Sequence, residues 1–159
     1  YFRSQDRIAE TGTGFSDAQE ILGSKVDRVL CNIYDLSPER LGTFDFVFAS
    51  DIMLHITNPV RALQNIHSVT GGEAMLVEPF DPSLDASGSP QLAQLVGFLE
   101  EVHWWRFSES YLEQAIRLAG FGEVERCPTV DIRVRGHEEV PAPRAVFKAR
   151  KEGAAPKKA

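Results

Sequence analysis

Between Asn32 and Pro59 the chain reads N-I-Y-D-L-S-P-E-R-L-G-T-F-D-F-V-F-A-S-D-I-M-L-H-I-T-N-P. Two apolar runs, VDRVLCNIY and FDFVFAS, each stop at an acidic residue, Asp35 and Asp51. Open parallel sheets bind their ligands just beyond the carboxyl ends of the strands. Two strand-terminal carboxylates this close in sequence therefore point to one ligand crevice. The remaining punctuation fits an alternation of strands and helices. Val26 to Tyr34 is predicted as a strand, broken by Asp35-Leu-Ser-Pro. Phe44 to Ser50 is almost wholly apolar and is predicted as a strand buried on both faces. Asn58 is a good N-cap and Pro59 suits the first helical position. Val60, Leu63, Ile66 and His67 then recur at helical spacing, and Gly71-Gly72 is expected to end that helix. A further strand follows over Glu73 to Phe80, which makes a strand-helix-strand crossover.

Outside this unit, Phe15 to Leu22 reads as a short helix stopped by Gly23, preceded by a T-G-T-G loop. Leu92, Leu95, Val96, Leu99 and Val102 read as an amphipathic helix. Ser108 is expected to cap another, with Leu112, Ala115, Ile116 and Ala119 on its apolar face and Gly120 just past its end. Glu123 to Arg135 and Arg144 to Arg150 are predicted as an antiparallel strand pair. The expected fold is α/β: an incomplete Rossmann-like sheet, mostly parallel, closed by a C-terminal antiparallel hairpin. Residues 1–150 are expected to form one domain, and 151–159 a disordered tail. The chain opens on Tyr1 rather than Met, so a fragment, a processed product or an incomplete reading frame is expected.

Several function classes recede on composition. A net charge of -6 argues against a broad nucleic-acid-binding face. No apolar run approaches the length of a membrane span. Cys31 and Cys127 lie far apart, and a reduced, cytoplasmic protein is the simplest reading. His55, His67, His103 and His137 show no metal-ligand spacing.

The ordered elements resemble the C-terminal two-thirds of a class I S-adenosylmethionine-dependent methyltransferase. More narrowly, Y-D-L, then G-T-F-D-F-V-F, then L-H-I, then N-P-V-R-A-L is similar to a bacterial branch that includes carboxymethyl-uridine tRNA methyltransferase-like proteins. The later W-W-R-F-S-E-S-Y-L and A-G-F run belongs to the same resemblance. It implies S-adenosylmethionine as cofactor. Asp35 matches the position that accepts a hydrogen bond from the adenine amine, with Tyr34 and Leu36 as its neighbours. Ser50, Asp51 and Ile52 match the methionine side of the cofactor. His55 falls where a base for the methyl acceptor is expected, or else packs and caps the next helix. The acceptor is expected to be a small molecule, with modified tRNA uridine as the alternative. Such enzymes begin with two further strand-helix units and a glycine-rich loop. Only 25 residues precede Val26, too few for about 60 at about 30 per unit. The chain is therefore expected to carry about half of a cofactor site.

Other candidates have plainer readings. Asp45 is expected to be structural, Glu78 to face the acceptor or else to be solvated or paired with an arginine, and Trp104 and Trp105 to be either a lid or simple packing. Arg126, Arg133, Arg135, Arg144 and Lys148 suggest a basic strip or a charged sheet edge. Two rival functions stand: a non-catalytic methyltransferase-like module that binds a protein, or oligomerises, through an open sheet flank, and a Rossmann-like domain for another nucleotide.

Overall fold

Asn58 and Pro59 set the first fixed point of the architecture. In the computed structural model, which describes residues 13–86, 91–97, 103–132 and 142–152, the Asn58 side chain accepts the amide of Arg61, and helix Pro59–Val69 follows. The chain divides into two units, Tyr1–Cys31 and Asn32–Ala159. In the first, helix α1 (Thr13–Leu22) ends at Gly23, whose φ of 57° ordinary residues resist. The Gln19 side chain then donates to the carbonyl of Val26.

The second unit carries the sheet. Its elements in order are a 3-10 helix (Ile33–Asp35), α2 (Pro38–Leu41), β1 (Phe44–Ser50), a second 3-10 helix (Met53–His55), α3 (Pro59–Val69), β2 (Thr70–Pro79), α4 (Pro82–Ala86), β3 (Ala93–Leu95), β4 (Trp105–Phe107), α5 (Glu109–Leu118), β5 (Phe121–Asp131) and β6 (Pro143–Lys151). The main sheet has the order β1-β2-β6-β5, and β3 and β4 form a separate antiparallel pair. β1 and β2 are parallel, joined by α3 as expected, with Ser50 opposite Val77. β6 runs antiparallel to both β2 and β5. The expected hairpin is present, but the sheet is mixed rather than mostly parallel. One parallel pair is outnumbered because β6 inserts between β2 and β5.

Core residues come from one face of the strands and the apolar stripes of two helices. Ala49, Ala74, Leu76, Ala145, Phe147 and Ala149 pack with Ala62, Leu63 and Ile66 of α3 and with Leu112, Ala115 and Ile116 of α5. The Ser108 hydroxyl accepts the amide of Tyr111, which caps α5 as its sequence anticipates. Gly120 takes a φ of 114°, and a side chain there would press on the His67 ring.

Four expectations fail for physical reasons. Residues 26–31 form no strand, and Ile33–Asp35 is a 3-10 helix. Strands exist only through their ladders, and every ladder of the main sheet lies downstream. The Asn32 side chain accepts the Tyr34 amide and bends the chain instead. Second, β1 is not buried on both faces. Ala49 is buried, whereas Phe44, Phe46 and Phe48 are 45%, 52% and 60% exposed. Alternation sends these rings to the face opposite the helices. Third, Ala93–Leu95 is a strand paired with Trp105–Phe107, not a helix. The rest of that expected helix, 98–102, lies outside the described residues, as do residues 11 and 12 of the expected T-G-T-G loop, whose Thr13 and Gly14 open α1 instead, and Arg133, Arg135, His137 and the tail from 153. Fourth, Gly71 and Gly72 do not end α3. They sit inside β2, which begins at Thr70, and Lys151, assigned to the tail, completes β6.

Gly72 has a packing reason to be glycine. A Cβ there would run into the backbone carbonyl of Asp45 on β1. Gly72→Ala is expected to lower stability by about 1–3 kcal/mol, as overpacking against main chain does. Urea unfolding of both proteins at one pH checks it; an unchanged midpoint would mean that β1 and β2 lie further apart here.

Candidate functional site

β1 and β2 stop together, and the chain beyond β1 must turn sharply. Asp51 does so with a φ of 53°, unusual for a residue with a Cβ. Its amide still donates to the Val77 carbonyl, 2.9 Å away. Its carboxylate is gripped from two sides. The Ser50 hydroxyl donates to Oδ2 at 2.8 Å, and Arg144 Nε donates to Oδ1 at 2.7 Å. Arg144 reaches it because the antiparallel register puts that residue opposite Pro79, at the same end of the sheet.

Glu78 lies beneath this turn, 4% exposed. Its carboxylate accepts the amide of Ile52 at 2.9 Å and that of Met53 at 3.2 Å. Glu78 thus satisfies two donors at the start of a helical turn that has no other cap. Burial pushes its carboxyl up to about 7. The Ile52 and Met53 amides pull the other way, while Asp51 raises it and Arg144 lowers it. The expectation that Glu78 is solvated or paired with an arginine is corrected: its partners are backbone amides, and Arg144 pairs with Asp51.

The 3-10 helix Met53–His55 leads from this turn toward α3. His55 is exposed on it, and the neighbouring Leu54 is partly buried. Two bonds stitch the segment to β4: Trp104 N donates to the Leu54 carbonyl at 2.7 Å, and Trp105 Nε1 to the Ile56 carbonyl at 3.0 Å. Tyr34 braces the far end. Its hydroxyl accepts the Asn58 amide at 2.8 Å, and Arg61 stacks on its ring at 5.4 Å. Asn65 donates to the Ile33 carbonyl. Leu36 packs against the core. Asp35 keeps its side chain 61% exposed, with Arg40 at 3.9 Å.

A cleft of about 400 Å³ opens at this same end of the sheet. Leu54, Phe80, Trp105 and Phe107 form apolar wall, while Asp81, His103, Arg106 and Arg144 supply polar groups. None of the cofactor and catalytic positions expected from the sequence lines it, whereas Trp105, the candidate lid, and Arg144 of the basic strip do. The expected positions fall into two neighbouring groups instead: Tyr34, Asp35 and Leu36 beside the start of α3, and Ser50, Asp51 and Ile52 at the end of β1, with His55 between them along the chain. Arg144 connects the second group to the cleft, since it lines the cleft and holds Asp51.

Glu78 had a legible signal. Thr70, Ala74 and Leu76 are buried at alternate positions of β2, and Glu78 continues that row. A carboxylate on a core-facing row demands a partner. Arg144 had none, because its partner lies 93 residues away. Among the described residues no group of His, Cys, Asp and Glu is placed to hold a metal ion, and no helix is long and apolar enough to cross a membrane.

No family model and no curated sequence matches the chain. Solved structures do match its fold. The N-terminal domain of EvdMO1 with SAH bound superposes with a TM-score of 0.60 at 18% identity, over 86% of this chain and 59% of that one. The 1,6-didemethyltoxoflavin-N1-methyltransferase of Burkholderia thailandensis, with 1,6-didemethyltoxoflavin and S-adenosylhomocysteine bound, gives 0.59 at 16% identity, over 86% and 56%. The [4+2]-cyclase SpnF gives 0.58 at 18%, over 85% and 61%. The chain therefore has the α/β fold of these proteins and spans less than two thirds of each.

The buried carboxylate ties stability to pH. The folded value of about 7 lies above the usual 4.5, so the folded chain holds a proton that the unfolded chain releases. This stabilisation is complete below about 4.5 and lost as pH rises through about 7. Its amplitude is about 3 kcal/mol. Glu78→Gln keeps an acceptor for the amides but cannot ionise. The wild-type minus variant difference in unfolding free energy, measured from pH 4 to 8, is expected to carry this slope; parallel curves would refute the assignment.

Proposed function

We propose that the chain carries the acceptor side and the adenine side of an S-adenosylmethionine-dependent methyltransferase for a small-molecule acceptor. The observation that supports this best is the braced turn after β1, with the cleft opening beside it at the carboxyl end of the parallel pair. Ligand sites of open α/β sheets lie there. Likeness to folds with S-adenosylhomocysteine bound adds support. Likeness to a cyclase of the same fold is the reason that activity must be tested rather than assumed.

The residues present fit part of the cofactor. The exposed Asp35 carboxylate has one cation at 3.9 Å and so retains acceptor positions for an exocyclic amine. Tyr34 is held by Asn58 and Arg61, which fixes the backbone from which Asp35 projects. Asp51 and Ile52 act on the turn itself: both Asp51 oxygens accept bonds, and the Ile52 amide is given to Glu78. Ser50 to Ile52 would thus present a fixed backbone to the methionine side. Among the described residues, no glycine-rich loop after a strand is present for the carboxypropyl end.

When bound, the cofactor supplies an already activated methyl group, so the protein's part is positioning and exclusion of water. Leu54, Trp105 and Phe107 would hold an acceptor beside the turn, and His55 would take its proton where one must leave. The finer reading, a carboxymethyl-uridine in tRNA, ranks below a small molecule because the net charge is -6. A cytoplasmic setting accompanies either.

One observation favours a second reading. Phe44, Phe46 and Phe48 leave an apolar strip on the sheet face opposite the core, which suits a non-catalytic module that binds a protein partner. Titration calorimetry with S-adenosylhomocysteine, run beside light scattering, separates the two. A monomer that binds the ligand favours the enzyme; an oligomer indifferent to it favours the module. In the enzyme, Asp35→Ala is expected to weaken binding by about 1–3 kcal/mol, and unchanged affinity would remove Asp35 from the site. His55→Gln is expected to leave that affinity alone and slow transfer by about 100-fold where the acceptor must lose a proton. Equal rates would return His55 to a packing role.

A further inference from the structure

We infer that the cleft selects a flat, apolar molecule bearing a carboxylate, and that Arg106 recognises the charge. That this molecule is the methyl acceptor rests on the function proposed above; the selectivity does not. The flatness comes from the aromatic wall. Trp105 and Phe107 alternate onto one face of β4, with rings 6.4 Å apart and 18° from parallel. Phe107 stacks in turn on Tyr111 at 5.2 Å and 2°. Trp105 cannot swing freely, because its indole N–H is held by the Ile56 carbonyl. A rigid stack of this kind favours a planar, apolar partner over a flexible or globular one.

The charge preference comes from counting what is already committed. The lining holds two guanidiniums and one carboxylate. Arg144 spends Nε on Asp51 and Nη1 on the Ala142 carbonyl, so it serves as structure. Arg106 is different. Its one ion pair among the described residues, to Asp81 at 3.7 Å, is longer than a hydrogen bond, and its side chain is 49% exposed. Its guanidinium makes no hydrogen bond among the described residues. Asp81 is meanwhile engaged by the Ser83 hydroxyl and amide through Oδ1. A guanidinium has five donors in a planar fork, and a carboxylate fits one edge in bidentate fashion. The neighbouring Asp81 orients that fork without filling it. The cleft's size lies at the lower end of small-molecule sites, which suits a compact ring system.

The test uses the full chain and a matched pair of probes. Salicylate and 2-hydroxybenzyl alcohol share the ring and phenol and differ in the carboxylate. Each is titrated while tryptophan fluorescence is followed, with no cofactor present. Salicylate is expected to bind at least tenfold more tightly, and Arg106→Met, which keeps the aliphatic stem, is expected to erase the difference. Arg106→Lys is expected to restore part of it. Equal affinities in the wild type, no saturable response to either probe, or a preference that survives Arg106→Met would each overturn the inference. S-adenosylhomocysteine affinity, measured on the same samples, keeps the two claims apart. Carboxylate preference without cofactor binding would leave this inference standing and sink the methyl-transfer reading; cofactor binding without the preference would do the reverse.

Discussion

A carboxylate that has left water needs compensation, and Glu78 obtains it from two main-chain amides rather than from a cation. That choice shapes the whole end of the sheet. The Ile52 and Met53 amides are the donors that a short helical turn leaves unpaired. By taking them, Glu78 fixes where the turn after β1 begins. Asp51 can then hold its left-handed backbone, because its own carboxylate is pinned by Ser50 and Arg144. Backbone conformations of this kind persist only where the surroundings over-determine them. Here the two strand ends, β6 and the turn all contribute a contact. Removing the Glu78 carboxylate would leave two amides without acceptors at the place where a ligand is expected.

The sheet's two faces have different characters, and the difference follows the strands' alternation. Toward the helices the rows are small and apolar, with Ala74, Ala145 and Ala149 allowing α3 and α5 close approach and Phe147 filling the middle. On the other face the register sets Phe46 beside Glu73 and Phe48 beside Met75. Across β6 the same face carries Arg150 and Lys148, both paired with Glu73. The outer face therefore passes from aromatic at β1 to ionic at β6. Salt bridges of this exposure add little stability, but they keep that half of the face soluble. The phenylalanine half has no such protection among the described residues.

Local signals in the sequence proved more reliable than pairing signals. Asn58 and Pro59 opened α3 where expected, and Ser108 and Gly120 bounded α5, because a cap is a contract between residues three or four apart. The predicted strand at Val26 to Tyr34 and the described part of the helix predicted over Leu92 to Val102 failed for the opposite reason. Apolar periodicity in a short segment does not say which neighbour will complete it. Ala93–Leu95 became a strand because Trp105–Phe107 lay alongside, and 26–31 had no ladder to join. The run from Tyr34 to Leu63 carried the parallel pair of β1 and β2 and the helix that joins them. It could not carry the Arg144–Asp51 pair, which exists only once β6 has been laid beside β2, or the cleft, whose wall belongs to β4.

The bond from the Trp105 indole to the Ile56 carbonyl links the wall of the cleft to the turn after β1. Ile56 lies three residues beyond Met53, whose amide rests on Glu78. A guest against the indole therefore lies against a side chain tied to the same short stretch that Glu78 holds from below. The aromatic slot and the strand-end turn thus share one short stretch of chain, held at Ile56 by the indole and at Met53 by the buried carboxylate.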